Sequence, residues 1–188
     1  MSCRILETHR LRLRRPEARD LPAMVALADD FDVAKNLSSL PHPYTIRDGE
    51  DFLARIAEQH ATGADFPFAI TLRSNGAYMG GVGLHLRDNG LFELGYWLGR
   101  PFWGRGYGTE AAGKLTSFAF SQLRAERIAA GYFHDNPASC HVLTKLGFVA
   151  CGSEDRQSLA RGHAVRCVDM ILERENFTAR GLSRKKAS

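Results

Sequence analysis

The run Trp103-Gly104-Arg105-Gly106-Tyr107-Gly108-Thr109-Glu110-Ala111 decides how this chain is read. Three glycines stand at alternate positions, just ahead of a stretch with helical apolar spacing (Ala111, Leu115, Phe118, Ala119, Leu123). Residues without a Cβ let the backbone turn sharply and approach a bound group closely. The first turn of a helix leaves its N–H groups free and carries the positive end of the helix dipole, so such a loop favours phosphate. Two common phosphate loops do not fit. A P-loop requires Gly-x4-Gly-Lys-Ser/Thr, and no such Lys follows Gly108. The dinucleotide fingerprint requires a glycine where Thr109 stands, with a strand–helix–strand unit around it. ATP and NAD are therefore not the expected ligands. The plain alternative is a glycine-rich turn that only permits tight packing.

Outward from the loop the period of the pattern changes. Phe66, Phe68, Ile70 and Leu72 fall on one face of a strand, Asn75-Gly76 makes a hairpin turn, and Tyr78 to Leu86 returns. Asp88-Asn89-Gly90 turns again into a strand from Phe92 to Leu98, completing an antiparallel meander. After the loop a helix is expected from Thr109 to Leu123, then a strand from Ile128 to Phe133. A helix opened by Pro137 and closed at Gly147 follows, and strands Phe148 to Cys151 and Val165 to Leu172 finish the chain. Near the N-terminus Leu11-Arg12-Leu13-Arg14 alternates as a short strand. Asp20 is placed to cap a helix to Ala28, and a second helix runs from Asp48, with Phe52, Leu53, Ile56 and Ala57 on one stripe, to Gly63. The expected fold is one α/β domain: a mixed, mostly antiparallel sheet of about seven strands with helices on both faces.

With 188 residues, 44% apolar and 24% charged, the chain is globular; disordered, collagen-like and fibrous classes are excluded. The formal charge of +4 is unevenly placed. Of 25 Lys and Arg, four lie in residues 178–188, which contain no acid, and the other 21 match the 21 Asp and Glu of residues 1–177. The basic pI thus describes a tail on a neutral body, and a nucleic-acid partner is not expected. No run approaches the ~20 apolar residues of a membrane span, and Met1-Ser2-Cys3-Arg4 opens no secretory signal. Cys3, Cys140, Cys151 and Cys167 form no CxxC pair and have no histidines at zinc spacing, which points to reduced thiols, no metal site and a cytoplasmic protein.

Taken in order, the segments resemble one family. Pro43-Tyr44-Thr45, Glu93-Leu94-Gly95-Tyr96-Trp97-Leu98, the loop Trp103 to Ala111, and Asn136-Pro137-Ala138-Ser139 running on to Lys145-Leu146-Gly147-Phe148 are similar to the RimJ/RimL-like branch of the GNAT acetyl-CoA-dependent N-acetyltransferases. The general family has Gln or Arg where Trp103 stands; the branch has Trp. The resemblance covers residues 7 to 177, which implies a GNAT domain over 1–177 and a solvated, disordered basic tail over 178–188.

The resemblance implies acetyl-CoA as cosubstrate, no metal, and direct attack of a primary amine in a ternary complex. It implies that Trp103, Gly104, Arg105, Gly106, Tyr107, Gly108 and Thr109 hold the pyrophosphate and that the pantetheine lies along Tyr96, Trp97 and Leu98, with an N–H near Leu98 as oxyanion donor. Asn136 and Ser139 are expected to contact the pantetheine. The tyrosine that many members place five residues before Phe148 is Leu143 here, so Ser139 is the candidate proton donor to the thiolate. Glu93 shares a strand face with Gly95 and Trp97; it is read either as a base acting through water or as a solvated strand charge. Asp169 either contacts the acceptor or pairs with an arginine. Phe31 to Asp51 and Glu154 to His163 are expected at the acceptor opening. The implied acceptor is a protein N-terminal α-amine, of the ribosomal-protein kind. A small amine (polyamine, aminoglycoside or amino-acid derivative) and a non-catalytic acyl-CoA-binding module are the alternatives, and a homodimer is left open.

Overall fold

A computed structural model describes residues 5–59 and 65–177. The elements run β1 (Leu6–Glu7), β2 (Leu11–Arg14), α1 (Leu21–Ala28), α2 (Phe31–Ala34), α3 (Ile46–Gln59), β3 (Asp65–Leu72), β4 (Tyr78–Leu86), β5 (Phe92–Leu98), α4 (Tyr107–Gln122), β6 (Arg127–Phe133), α5 (Pro137–Leu146), β7 (Val149–Ser158) and β8 (His163–Glu173). One eight-stranded sheet has the order β1-β2-β3-β4-β5-β6-β8-β7, antiparallel throughout except where β5 meets β6.

The two faces follow from the strand period. Phe68, Ile70, Val82, Leu84, Leu94 and Ile128 point to one side, where Ala111, Leu115 and Phe118 of α4 and Leu143 of α5 cover them. Ala69 and Tyr78 point to the other and pack with Met24 and Ala28 of α1, with Phe52 of α3 and Trp97 at the margin.

The meander strands fall where the pattern puts them, and four boundaries differ. β7 and β8 extend to Ser158 and from His163, well beyond Cys151 and Val165. The outer half of β7 is polar and largely exposed, so no apolar alternation marks it, and the ladder from Glu154↔Cys167 to Ser158↔His163 holds it against β8. Asp20 does not cap α1 with its side chain. Its carboxylate instead grips Arg14 at 2.6 and 2.7 Å and accepts from the Glu17 N–H at 2.9 Å. α3 begins at Ile46, ahead of Asp48, because the Asp48 carboxylate accepts from the Thr45 N–H at 2.8 Å and its hydroxyl at 2.5 Å. α4 begins at Tyr107, ahead of Thr109, since Gly106 supplies the turn itself. The expected end of α3 near Gly63 and the basic tail lie outside the described residues.

Candidate active site

Strands β5 and β6 pair in parallel only from Phe92↔Ile128 to Leu94↔Ala130, although they run on to Leu98 and Phe133. Beyond that vertex they part. The Gly99 N–H donates to Met79 O at 2.9 Å and the Arg87 N–H to Leu91 O at 2.8 Å. In the regular β4–β5 register the odd residues of β5 therefore turn their backbone groups toward β4. Tyr96 and Leu98 turn theirs into the gap. Leu98 O accepts from the Trp103 indole N–H at 2.7 Å. Tyr96 N–H and C=O and Leu98 N–H are left on the lip, the alternation an extended amide-bearing arm needs in order to pair as an extra strand. Sequence patterning gave no sign of this splay, because strand periodicity reports faces and not which neighbour a strand loses.

Above the gap lies the glycine loop. Gly104 (φ 72°) and Gly106 (φ 76°) both adopt left-handed backbone, and Gly106 is the cap of α4. The first intrahelical bond retained there is Glu110 N–H to Gly106 O at 3.1 Å, so the N–H groups of the preceding turn are directed outward. Gly108 is buried, and a Cβ there would stand 3.7 Å from Leu98 Cδ1 and 3.9 Å from Tyr96 Cε2. The loop is held by a residue that sequence reasoning missed. The Arg10 guanidinium donates to Glu110 Oε2 at 2.7 Å and to Arg105 O at 3.0 Å, and lies 4.4 Å over the Tyr107 ring. Thr8 Oγ1 adds a bond to Glu110 Oε1 at 2.6 Å. Burial pushes the Glu110 carboxyl up, but these donors outweigh it and hold it below the usual range. Trp103 and Arg105 are exposed at the mouth, where either side chain can reach a ligand.

On the α4–α5 side of the gap, Asn136 caps α5 and its Oδ1 accepts from Ser139 N–H at 3.1 Å. That capping bond is the ordinary role of an Asn before a helix, and it fixes Ser139 in the first turn. Ser139 Oγ lies 2.8 Å from the Tyr96 hydroxyl, reaching across from β5. Burial pushes the Tyr96 phenol up to about 12, so it stays protonated; it donates to Ser139 O at 3.3 Å, and either hydroxyl can be the donor in the contact with Ser139 Oγ. The sequence reading assigned Tyr96 by its backbone; this side-chain contact was not foreseen.

On the opposite face, at the vertex, stands Glu93. Its oxygens are not free. Arg87 Nε donates to Oε2 at 2.6 Å, and Arg156 Nη1 to Oε1 at 2.7 Å. Burial pushes this carboxyl up, yet the two arginines overcome that and leave it below the ordinary value. Arg156 also reaches Asp169 at 2.6 Å and Glu154 at 2.8 Å, so Asp169 pairs with an arginine, one of the two roles expected for it. Arg156 was not singled out in the sequence, because its three carboxylates come from three different strands.

The two segments expected at the acceptor opening do meet. Leu159 N–H donates to Ser38 O at 3.1 Å and Arg161 Nε to Lys35 O at 2.8 Å. Several acids around them are engaged: Asp29 lies against the His42 ring, Asp30 and Asp32 pair with Arg100, Asp32 also with Lys35, and Asp135 with Arg161. Cys140, Cys151 and Cys167 are free thiols. Among the described residues no group of three or more His, Cys, Asp or Glu could hold a metal, and no helix is long and apolar enough to cross a membrane.

A sheet splayed beside a glycine-rich helix start, with strand N–H groups facing the gap, defines a fold that binds an acyl thioester in extended form. Residues 10–149 match the acetyltransferase (GNAT) domain, and the chain belongs to that family; it is an acetyl-CoA-dependent N-acetyltransferase. An N-acetyltransferase p20 from Bacillus licheniformis is 30% identical over 169 residues, covering 89% of this chain and 93% of its own. Among solved structures, a RimL ribosomal L7/L12 α-N-protein acetyltransferase in complex with coenzyme A superposes with TM-score 0.79 at 17% identity, over 90% of this chain and 98% of that one. A spermidine N-acetyltransferase from Vibrio cholerae, in complex with CoA and spermine, gives 0.76 at 17% identity, over 91% and 99%.

Acetyl-CoA supplies the activated acetyl group, and the residues present fit it. Tyr96 and Leu98 would offer backbone groups to the amide-bearing arm, and the α4 start would offer N–H groups to the pyrophosphate.

Proposed function

We propose that this enzyme acetylates the α-amino group of protein N-termini. The observation that carries the reading is the pair of arginines on Glu93. A carboxylate held below its ordinary pKa is a weak base. It can draw a proton through water from an α-amine, whose pKa is about 8, far more readily than from a lysine-like or polyamine ammonium near 10.4. A second support is the acceptor opening, where Arg100, Lys35 and Arg161 are paired with Asp30, Asp32 and Asp135, so these three carboxylates are already engaged and are not a ready site for a polyamine. Of the structural neighbours, the RimL enzyme bears the name of a protein-terminus acetyltransferase and the Vibrio cholerae enzyme that of a spermidine acetyltransferase; fold likeness at this identity favours neither.

In this reading Glu93 accepts the amine proton through water, and Leu98 N–H donates to the acetyl oxygen. As the N–C bond forms and the C–S bond breaks, Ser139 Oγ donates to the departing CoA thiolate. With the Tyr96 hydroxyl as donor in its 2.8 Å contact with Ser139 Oγ, one of the two directions that contact allows, the Ser139 hydrogen is free to point into the gap. Trp103 to Thr109 hold the phosphates. The domain ends by Phe177, and the enzyme works in the cytoplasm without a metal. The test is an acceptor screen with CoA release as readout: N-terminal tetrapeptides against spermidine, an aminoglycoside and free amino acids. A kcat/KM for peptides at least 100-fold above the small amines is expected; preference for spermidine or an aminoglycoside would reverse the assignment.

A further inference from the structure

The face of the sheet that carries Glu93 has a strip with almost no side chains. Three rows cross β3, β4 and β5 in register. Asp65, His85 and Glu93 form one row, Pro67, Gly83 and Gly95 the next, and Gly81 with Trp97 belongs to the third. The middle row is bare over two strands. Among the described residues, no heavy atom lies within 4 Å of where a Cβ on Gly95 would stand, and Gly95 is exposed. A Cβ on Gly83 would meet only backbone of β3, Phe66 O and Pro67 Cα, at 3.6 Å. Neither glycine has a positive φ, so neither is there to make a turn. A glycine inside a strand commonly marks a bulge, a bend or the close approach of a ligand or backbone, and the β4–β5 register runs here without a shift.

The strip has walls and a direction. The Trp97 and Glu93 rows are four residues apart along β5, about 13 Å at strand rise. Less the thickness of the flanking side chains, that leaves roughly 7 Å, room for one extended backbone, which takes about 4.8 Å beside a neighbouring strand. At β5 the strip opens onto the vertex of the splay, one residue from the Tyr96 backbone groups that face the gap. Across the gap the Arg156 guanidinium lies over Gly131, where a Cβ would stand 3.1 Å from Nη1, so the strip ends at the Glu93–Arg156 pair.

We infer that the bare strip over Gly83 and Gly95 seats the backbone of the acceptor polypeptide, with its first residue against Trp97 and its amine at the vertex. The inference rests on the protein-N-terminus reading above and specifies how the terminus is held. A polyamine is a poorer occupant, because the acids of the rim are already matched. Asp65 is engaged by His85, and Glu93 by two arginines. What the strip offers is a flat floor, which excludes branching at the chain that crosses it and tolerates most sequences beyond the first residue.

The test uses the full chain with Gly95→Leu and, as a milder variant, Gly83→Ala. Three quantities are read: the thermal midpoint, the CoA Kd by calorimetry, and kcat/KM for an N-terminal tetrapeptide relative to glycinamide. A side chain on Gly95 has open space, so the expected result is a thermal midpoint and CoA Kd close to wild type. The tetrapeptide-to-glycinamide ratio should fall at least tenfold through KM, with a smaller fall for Gly83→Ala. An unchanged ratio in a folded Gly95→Leu enzyme overturns the strip as the acceptor seat while leaving the N-terminal reading intact. A wild type that refuses peptides overturns both. Should Gly95→Leu fail to fold, the ratio for Gly83→Ala decides. A change in oligomeric state accompanying the loss would assign the strip to a second copy of the chain and overturn the inference.

Discussion

Replacing Gly106 by valine separates a phosphate-holding loop from a loop that merely packs. Gly106 has φ +76° and ψ 5° at the cap of α4. An L-residue in that region costs about 1–2 kcal/mol, and a β-branched one lies at the upper end. Space is not the obstacle to the first atom, since a Cβ would sit 3.5 Å from Arg10 Nη2. The γ-methyls reach further and push Arg10 off Arg105 O and Glu110. The loop relieves the strain by leaving the left-handed region, which swings the N–H groups at the α4 start away from the pyrophosphate. A hydrogen bond to a charged group is worth ~1.5–3 kcal/mol, so losing two amounts to ~3–6 kcal/mol. At 1.4 kcal/mol per tenfold, the Kd for CoA should rise on the order of 10²–10⁴-fold. The control is Gly76→Val, which has nearly the same backbone (φ +75°) in the β3–β4 turn with nothing within 4 Å. Calorimetric titration with CoA, beside thermal unfolding, reads both. Both variants should lose stability, Gly106→Val more because it also displaces Arg10 from Glu110, and only Gly106→Val should lose CoA. A Kd within threefold of wild type for Gly106→Val, or an equal loss in Gly76→Val, refutes the reasoning.

Three further outcomes follow from named contacts. Glu93→Gln should lower kcat at least tenfold while leaving the CoA Kd within twofold; an unchanged kcat from pH 6 to 9 would remove Glu93 as proton acceptor. Gly80→Ala should damage stability and cofactor binding together: its Cβ would fall 2.2 Å from Trp97 O and 2.9 Å from Leu98 Cα, so β5 must move, at a cost of ~1–3 kcal/mol. Glu93, Glu110 and Asp135 are each held below their ordinary values of 4.5, 4.5 and 3.8. Groups of this sign bind fewer protons folded than unfolded, so their contribution is complete above those values and is lost as pH falls through the lower, folded ones. Urea unfolding should therefore give a flat stability from pH 8 to about 5 and a decline below about 4.5, shallower in Glu110→Gln; a decline that begins near neutrality would point to other groups.

What was legible in the sequence, and what was not, divides along a physical line. Gly106, Gly147 and the Asn75-Gly76 turn announce themselves because left-handed backbone and helix caps are local demands, met by one or two residue types wherever they occur. The meander strands were equally plain, since a half-buried face imposes a period of two on its own segment. Groups assembled from distant segments left no such mark. Arg10 and Glu110 lie a hundred positions apart, and Arg156 gathers Glu93, Glu154 and Asp169 from three strands. Any of these reads alone as a surface charge, and only the register of β5, β7 and β8 turns them into a network. Tyr96 is a case between. Its place on the strand was readable, but the approach of its hydroxyl to Ser139 depends on how far α5 leans over the splay. Gly83 and Gly95 invert the lesson. Each is unremarked in the sequence because a missing side chain carries no charge, period or cap, yet across two paired strands the two absences coincide and leave a floor beside the reacting groups. The residues that recognise a flexible acceptor can thus be the ones with least chemistry. A search for catalytic side chains stops at Glu93 and Ser139, the proposed proton carriers, and passes over the strip proposed to bring the amine to them.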